Sequence, residues 1–177
     1  ENIALQNNEM FSSNILKKLF VLNYAPNGMW QYITSVYYLR NKNNDEALDE
    51  LHFGSFLDKI TAFIYTYAIT NPGVNALRTP IFEEMINIIN GIDVSFANRK
   101  FNPTQARSFF ENYKFTNQRP VTRSLLTWYA FTFKDQKLLS IGESFQIEHI
   151  FSKKRQEMEG GLSNDTHRNM PFSLYLW

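Results

Sequence analysis

The stretch SFLDKITAFIYTYAI, residues 55–69, carries the clearest periodic pattern in the chain. Its apolar residues recur at the three- and four-residue spacing of an amphipathic helix. The residues on this stripe are Phe56, Leu57, Ile60, Phe63, Ile64, Tyr67 and Ala68. The pattern predicts a helix with one buried face, which the turn sequence TNPG at 70–73 is expected to end.

Five further segments predict helices. Residues 12–23 and 29–40 carry apolar stripes and are separated by the turn sequence APNG, with a polar loop or helix start at 41–46. Three later helices are expected to begin near a proline, at Pro80, Pro103 and Pro120. The chain is therefore predicted to be mainly α, a bundle of about six helices.

Two details of the later helices are also predicted. Glu83 and Glu84 are expected in the first turn of the Pro80 helix, where the helix dipole favours acids, with Gly91 just past its end. The helix after Pro120 is expected to run through VTRSLLTWYAFTF, with Leu125, Leu126, Tyr129 and Phe133 on one stripe. Aromatic stripes of this kind are expected to face the core rather than a cofactor.

Composition excludes several classes of protein. The chain of 177 residues is 44% hydrophobic and 16% aromatic, which is sufficient for a buried core. It has no cysteine, which excludes disulfides, thiolate zinc sites and cysteine nucleophiles, and fits a reducing compartment. No apolar run can span a bilayer and the polar start is not a signal peptide, so we expect a cytoplasmic protein with no membrane partner. The first residue is Glu, which suggests a fragment of a longer protein.

Charge is distributed unevenly. Residues 1–98 hold 6 Lys or Arg against 10 Asp or Glu, whereas residues 99–177 hold 12 against 7. The stretch 99–123 has six cations and one carboxylate. This asymmetry is typical of a surface that binds a polyanion, although a solvated basic face explains it equally well. The residues predicted to contact DNA here are Arg107, Lys114, Arg119 and Arg123.

The pattern changes after Lys134. A connector leads into FQIEHIF at 145–151, whose alternation predicts a strand that ends in Glu148-His149. A histidine can take a proton from water near neutral pH, and a carboxylate is a hard oxygen ligand suited to Mg²⁺ or Mn²⁺. Adjacent residues of a strand point to opposite faces of the sheet. Glu148 and His149 can therefore serve one site only if the chain turns at the end of this strand.

Lys153, Lys154 and Arg155 follow at once and could hold phosphates. Glu148-His149 can equally be a structural pair, because a histidine beside an apolar strand is more often a satisfied structural residue. The sequence has no Gly-rich phosphate loop, no H-E-x-x-H motif and no G-x-S-x-G nucleophile elbow.

The sequence IEHIF, following a helix that contains TRSLLTWYAF, resembles the C-terminal nuclease region of GmrSD-like restriction endonucleases, a branch of the HNH (His-Me finger) nucleases. Arg123, Leu125 and Leu126 are similar to the Arg-x-Leu-Leu element of that family. Glu148, His149 and Ile150 are similar to its Glu/Asp-His-Ile-x-Pro signature, with Ser152 where the proline usually stands.

The resemblance implies metal-dependent cleavage of DNA, with His149 as general base and Glu148 as a ligand of Mg²⁺ or Mn²⁺. It also implies a C-terminal ββα-type finger over residues 134–177, after a helical domain over 1–133. The family's Gly-Asn-Leu-type turn and following ligand are not recognisable, so Asn169 and His167 are the candidates for the second metal ligand. The finger is accordingly read as incomplete or degenerate.

The family's N-terminal nucleotide-binding domain is expected outside this chain, as a further domain or a partner subunit. Two other functions stay open beside the nuclease. One is a non-catalytic helical module that binds DNA or protein and carries a vestigial finger. The other is a helical enzyme of unrelated type.

Overall fold

The computed structural model describes residues 10–70, 77–113 and 120–140, together with the backbone of 148–149 and 174–175. Within these residues the chain forms six helices. They are α1 (Ser13–Asn23), α2 (Met29–Asn41), α3 (Glu50–Thr70), α4 (Arg78–Ile89), α5 (Pro103–Glu111) and α6 (Pro120–Ala130). The prediction of a mainly α chain is confirmed, and each of the six predicted segments is a helix.

Helix α3 packs against three of the other helices. It contacts α1, α5 and α6, while α2 packs on α4. The apolar stripe read from the sequence faces the core, because Phe56, Leu57, Ile60, Phe63 and Ile64 are all buried. The helix begins at Glu50, five residues earlier than the periodicity indicates, and ends at Thr70. The added residues include Phe53, which is buried and continues the apolar stripe toward the N-terminus.

The segment after α4 turns back into the core. Gly91 follows the helix with φ +75°, a left-handed conformation that glycine adopts without the strain of a side chain. Phe96 also has a positive φ, +49°, and its ring stacks on Phe63 at a centroid distance of 3.7 Å. Glu84 is buried beneath this segment and accepts hydrogen bonds from the backbone N–H groups of Ser95 and Phe96.

The predicted place of the two glutamates is therefore wrong. Because α4 begins at Arg78, its first turn contains no acidic residue, and Glu83 and Glu84 lie in the second turn. Glu84 bonds to the N–H groups of a distant loop instead of those of its own helix. Glu83 is half-exposed and lies 3.7 Å from Arg99.

Helix α6 docks on α1 and α3 through apolar side chains and buried hydroxyl groups. Val121, Leu126 and three hydroxyl residues, Thr122, Ser124 and Thr127, are buried. Ser124 donates its hydroxyl proton to the carbonyl of Tyr24 at 2.6 Å. Each bonded hydroxyl avoids the cost of a buried unpaired polar group.

The prediction that the core stripe of α6 extends to Tyr129 and Phe133 is wrong. The helix stops at Ala130 and turns follow, so Phe133 lies beyond it. Tyr129 and Phe133 are exposed and contact each other edge to face, with ring centroids 5.3 Å apart. Leu126 is buried and Leu125 is half-buried, as the pattern predicts.

Beyond residue 140 two short strands are described, β1 (Glu148–His149) and β2 (Leu174–Tyr175). They pair antiparallel, with Glu148 opposite Tyr175 and His149 opposite Leu174. The rest of the predicted strand over 145–151 lies outside the described residues. Of the described helices, none has both the length and the apolar content that crossing a bilayer demands.

Candidate functional site

The Glu148-His149 pair lies in a strand, as its sequence predicts. Its two residues form the whole of β1, and β2 supplies the antiparallel partner. Residues 150–173 connect the two strands in sequence. The backbone of the pair is thus held by a ladder to a segment far along the chain, and this fixes the position of both candidate residues relative to β2.

Most other predicted site residues lie outside the described part of the chain. These are Lys114, Arg119, Lys153, Lys154, Arg155, His167 and Asn169. Of the eleven predicted site residues, the structure describes the side chains of Arg107 and Arg123, which stand on different helices. Among the described residues no group of three or more His, Asp or Glu side chains could hold a metal ion.

The basic stretch 99–123 is partly neutralised. Arg107 donates to Glu111 Oε1 at 2.7 Å, one helical turn away, and this hydrogen bond raises the pKa of its guanidinium further above its usual range. Arg99 lies 3.7 Å from Glu83. Arg123 is exposed on α6 and has no acidic partner among the described residues. Within the stretch 99–123, Arg123 and Lys100 are thus the described cations that belong to no ion pair.

Helix α5, which carries Arg107, lies on the surface. Asn102 caps its N-terminus by accepting from the backbone N–H of Gln105 at 3.1 Å, and Pro103 occupies the first turn. No residue of this helix is buried, although Phe109 and Phe110 lie partly covered at its C-terminal end. The exposed helix thus presents arginine, glutamine and serine side chains to solvent, the types that contact nucleic acid phosphates.

A polar cleft of about 420 Å³ was not anticipated from the sequence. It lies between the second half of α2, the first half of α3 and the segment after α4. Its ionisable lining residues other than tyrosine are Arg40, Asp49, His52, Lys59 and Asp93. They come from three separate parts of the chain, so no local motif could have revealed them.

Local hydrogen bonding organises one wall of this cleft. Asp49 precedes α3 and accepts from the backbone N–H of His52 at 2.8 Å, which lowers the pKa of its carboxyl. His52 Nδ1 lies 3.1 Å from the same carboxylate. Partial burial, with help from Asp93 and Asp49, raises the pKa of the Tyr37 hydroxyl. The cleft therefore offers both signs of charge to a small polar molecule.

Comparisons of the chain with protein-family models, with curated proteins and with solved structures find no match. The functional argument accordingly proceeds from the residues and contacts of this chain.

Proposed function

We propose that the chain carries a metal-dependent endonuclease site of the His-Me finger type, which hydrolyses DNA phosphodiester bonds in a restriction or phage-defence protein. The observation that supports the proposal is the antiparallel pairing of β1, which consists of Glu148 and His149, with β2. A two-stranded ribbon with the histidine in its first strand is the expected first part of a ββα-type finger. A mainly helical domain precedes this ribbon in the chain.

The roles of the two residues follow from the chemistry of phosphodiester hydrolysis. The His149 imidazole removes a proton from the attacking water, a task suited to a group that titrates near neutral pH. Glu148 holds the metal ion, together with Asn169 or His167. The cations Lys153, Lys154 and Arg155 attract the phosphates on either side of the bond that is cut.

The donor set fits a hard divalent cation. A carboxylate with amide or imidazole donors suits Mg²⁺ or Mn²⁺, and the chain has no cysteine to favour a thiolate site. When bound, the metal supplies charge stabilisation for the phosphate and the leaving oxygen.

The surface proposed to hold DNA comprises Arg107, Lys114, Arg119 and Arg123. Because Arg107 is paired with Glu111, its loss also leaves a carboxylate unpaired, whereas Arg123 has no described acidic partner. Affinity for DNA of any sequence should fall steeply as salt rises, since cation contacts release counterions. The other proposed partner is a nucleotide-binding domain or subunit outside this chain.

The decisive experiment is single-turnover cleavage of DNA across a titration of Mg²⁺ or Mn²⁺. His149→Ala should slow cleavage about 10² to 10⁴-fold at every metal concentration, because a general base contributes that much to rate. Glu148→Ala should recover part of its activity at high metal, because a ligand defect acts first on metal affinity. Chelation should abolish cleavage by the wild type.

The matched control is His52→Ala. His52 is an exposed histidine on α3 that takes no part in the proposed chemistry, so this variant should cleave at the wild-type rate. Thermal melting checks that each variant is folded. If folded His149→Ala cleaves as fast as His52→Ala, or if chelation leaves cleavage unchanged, the nuclease proposal fails.

A second candidate is a non-catalytic helical module that binds DNA or protein. The feature that favours it is α5, a helix with no buried residue that presents Arg107 together with partly exposed Phe109 and Phe110. The same titration separates the two proposals. DNA binding that depends on salt and is weakened by changing Arg107, Lys114 and Arg119 together to Ala, without cleavage in any metal, would favour the module.

A further inference from the structure

Helix α4 leaves a large apolar stripe exposed. The side chains of Phe82, Ile86 and Ile89 are 49%, 57% and 61% exposed, and Ile92, just past the helix, is 55% exposed. At about 100° per residue, Phe82, Ile86 and Ile89 lie within about 60° of one another on the helix surface. The core-facing residues Ile81, Glu84 and Ile88 occupy another face, so the exposed stripe is not part of the packing of α4 on α2.

The exposed apolar area of this stripe can be compared with the area that a protein–protein interface requires. An exposed side chain of this size presents about 150–200 Å², so four that are each about half exposed leave roughly 400 Å² of apolar surface. Single exposed apolar residues are common on soluble proteins, but a contiguous patch of this size marks an interaction site. Two such patches facing each other, with their polar surroundings, bury about 1,000 Å², the lower limit for a specific interface.

Charges at the two ends of α4 indicate which kind of partner covers the exposed stripe. Arg78 is the first residue of the helix and stands four residues before Phe82, on the same stripe. It is exposed at the positive end of its own helix dipole, where a cation is unfavourable. At the other end the last turn has no basic residue, and exposed Asp93 follows. Within the described residues neither Arg78 nor Asp93 belongs to an ion pair.

We propose that the α4 stripe (Phe82, Ile86, Ile89 and Ile92) is the interface of a two-fold symmetric homodimer in which the two α4 helices run antiparallel. The midpoint of Phe82 and Ile89 falls between residues 85 and 86, so a two-fold axis there sets Phe82 against the partner's Ile89. The same axis brings Arg78 to the C-terminal end of the partner helix, whose last turn has no basic residue. A cation thus meets the negative end of a helix dipole at both ends of the stripe, an arrangement that a second copy supplies.

The first test measures the oligomeric state by sedimentation equilibrium from about 1 to about 100 µM, the range for a dimer of micromolar Kd. The wild type should be dimeric at the upper end. Ile86→Glu should raise the Kd at least ~30-fold, because the change is made twice at the centre of the interface. The matched control is Leu51→Glu, which places the same charge on an 81% exposed residue of α3 and should leave the dimer intact.

The charges give a test of the antiparallel arrangement. Arg78→Glu improves the electrostatics of the isolated helix, yet it should raise the Kd of the dimer about tenfold, because the cation that meets the C-terminal end of the partner helix is lost. Circular dichroism checks that the variants fold.

Cysteine cross-linking gives a direct geometric test because the chain has no cysteine of its own. Ile86→Cys lies beside the axis and should form a disulfide-linked dimer on mild oxidation. Arg78→Cys should not, since its two copies would be about 22 Å apart along antiparallel helices. A monomeric wild type at the highest concentration, a dimer that survives Ile86→Glu, or cross-linking of both cysteine variants would each overturn the proposal.

Discussion

Glu84→Ala should be among the most destabilising single substitutions in this chain. The side chain is 4% exposed and accepts three hydrogen bonds. Phe96 N–H donates to Oε1 at 2.7 Å, Ser95 N–H donates to Oε2 at 3.1 Å, and Asn87 Nδ2 donates to Oε2 at 3.3 Å. These bonds fix the segment that returns to the core after α4 and carries Phe96 in a left-handed conformation.

The expected cost follows from these contacts. A hydrogen bond to a charged group contributes about 1.5–3 kcal/mol, and a buried donor left unpaired costs about 1–3 kcal/mol. Removing the carboxylate therefore should lower the free energy of unfolding by about 3–5 kcal/mol, against a total of about 5–15 kcal/mol for a domain. Glu84→Gln keeps one acceptor oxygen but turns an amide donor toward an N–H group, so it should cost about half as much.

Urea unfolding followed by far-UV circular dichroism measures the difference, with an unchanged m value as evidence that the same transition is compared. The matched control is Glu83→Ala, which removes the neighbouring glutamate, a half-exposed side chain 3.7 Å from Arg99. Surface ion pairs of this kind contribute about 0–1 kcal/mol. If Glu84→Ala is no more destabilising than Glu83→Ala, the buried carboxylate does not hold the segment in place.

Two further predictions concern other buried or capping groups. The Tyr65 hydroxyl is fully buried and donates to the carbonyl of Val21 at 2.7 Å, so Tyr65→Phe should cost about 1–3 kcal/mol in the same urea assay; an unchanged midpoint would contradict this. The pKa of Asp49 is lowered by the N–H of His52, so its contribution is present above the ordinary carboxyl pKa and is lost as pH falls through the lowered value. Asp49→Asn keeps an N-cap acceptor, so the melting temperature of this variant should fall less than that of the wild type between neutral and acid pH. Equal falls in the two proteins would contradict this prediction.

Local signals predicted the helical fold well. A helix begins at Pro103, as its sequence indicates, and Gly91 follows α4 in the left-handed conformation. Such features depend on a few adjacent residues, so they can be read without a structure. The prediction for α3, by contrast, left out its first five residues, although Phe53 among them continues the buried stripe, and the start of α4 at Arg78 precedes the proline that marks it.

The candidate site was predictable to a lesser degree. A strand at Glu148-His149 was expected from alternation, whereas its partner at Leu174–Tyr175 was not, because pairing between distant strands leaves no local pattern. The ion pair of Arg107 with Glu111 could have been anticipated from their four-residue spacing. The cleft lined by Arg40, Lys59 and Asp93 could not have been anticipated, since those residues lie far apart in sequence.

The sequence by itself determined which residues share a helical face, because that depends only on the 3.6-residue period of each helix. It thereby specified the mainly α class, the position of each helix and the buried stripe of α3. Only the tertiary structure decided which faces are covered. Phe82, Ile86 and Ile89 form as regular a stripe as the core residues do, yet they stay exposed because no described segment packs over them. Covering a face requires contact with residues distant in sequence, and the period of a single helix contains no information about those contacts.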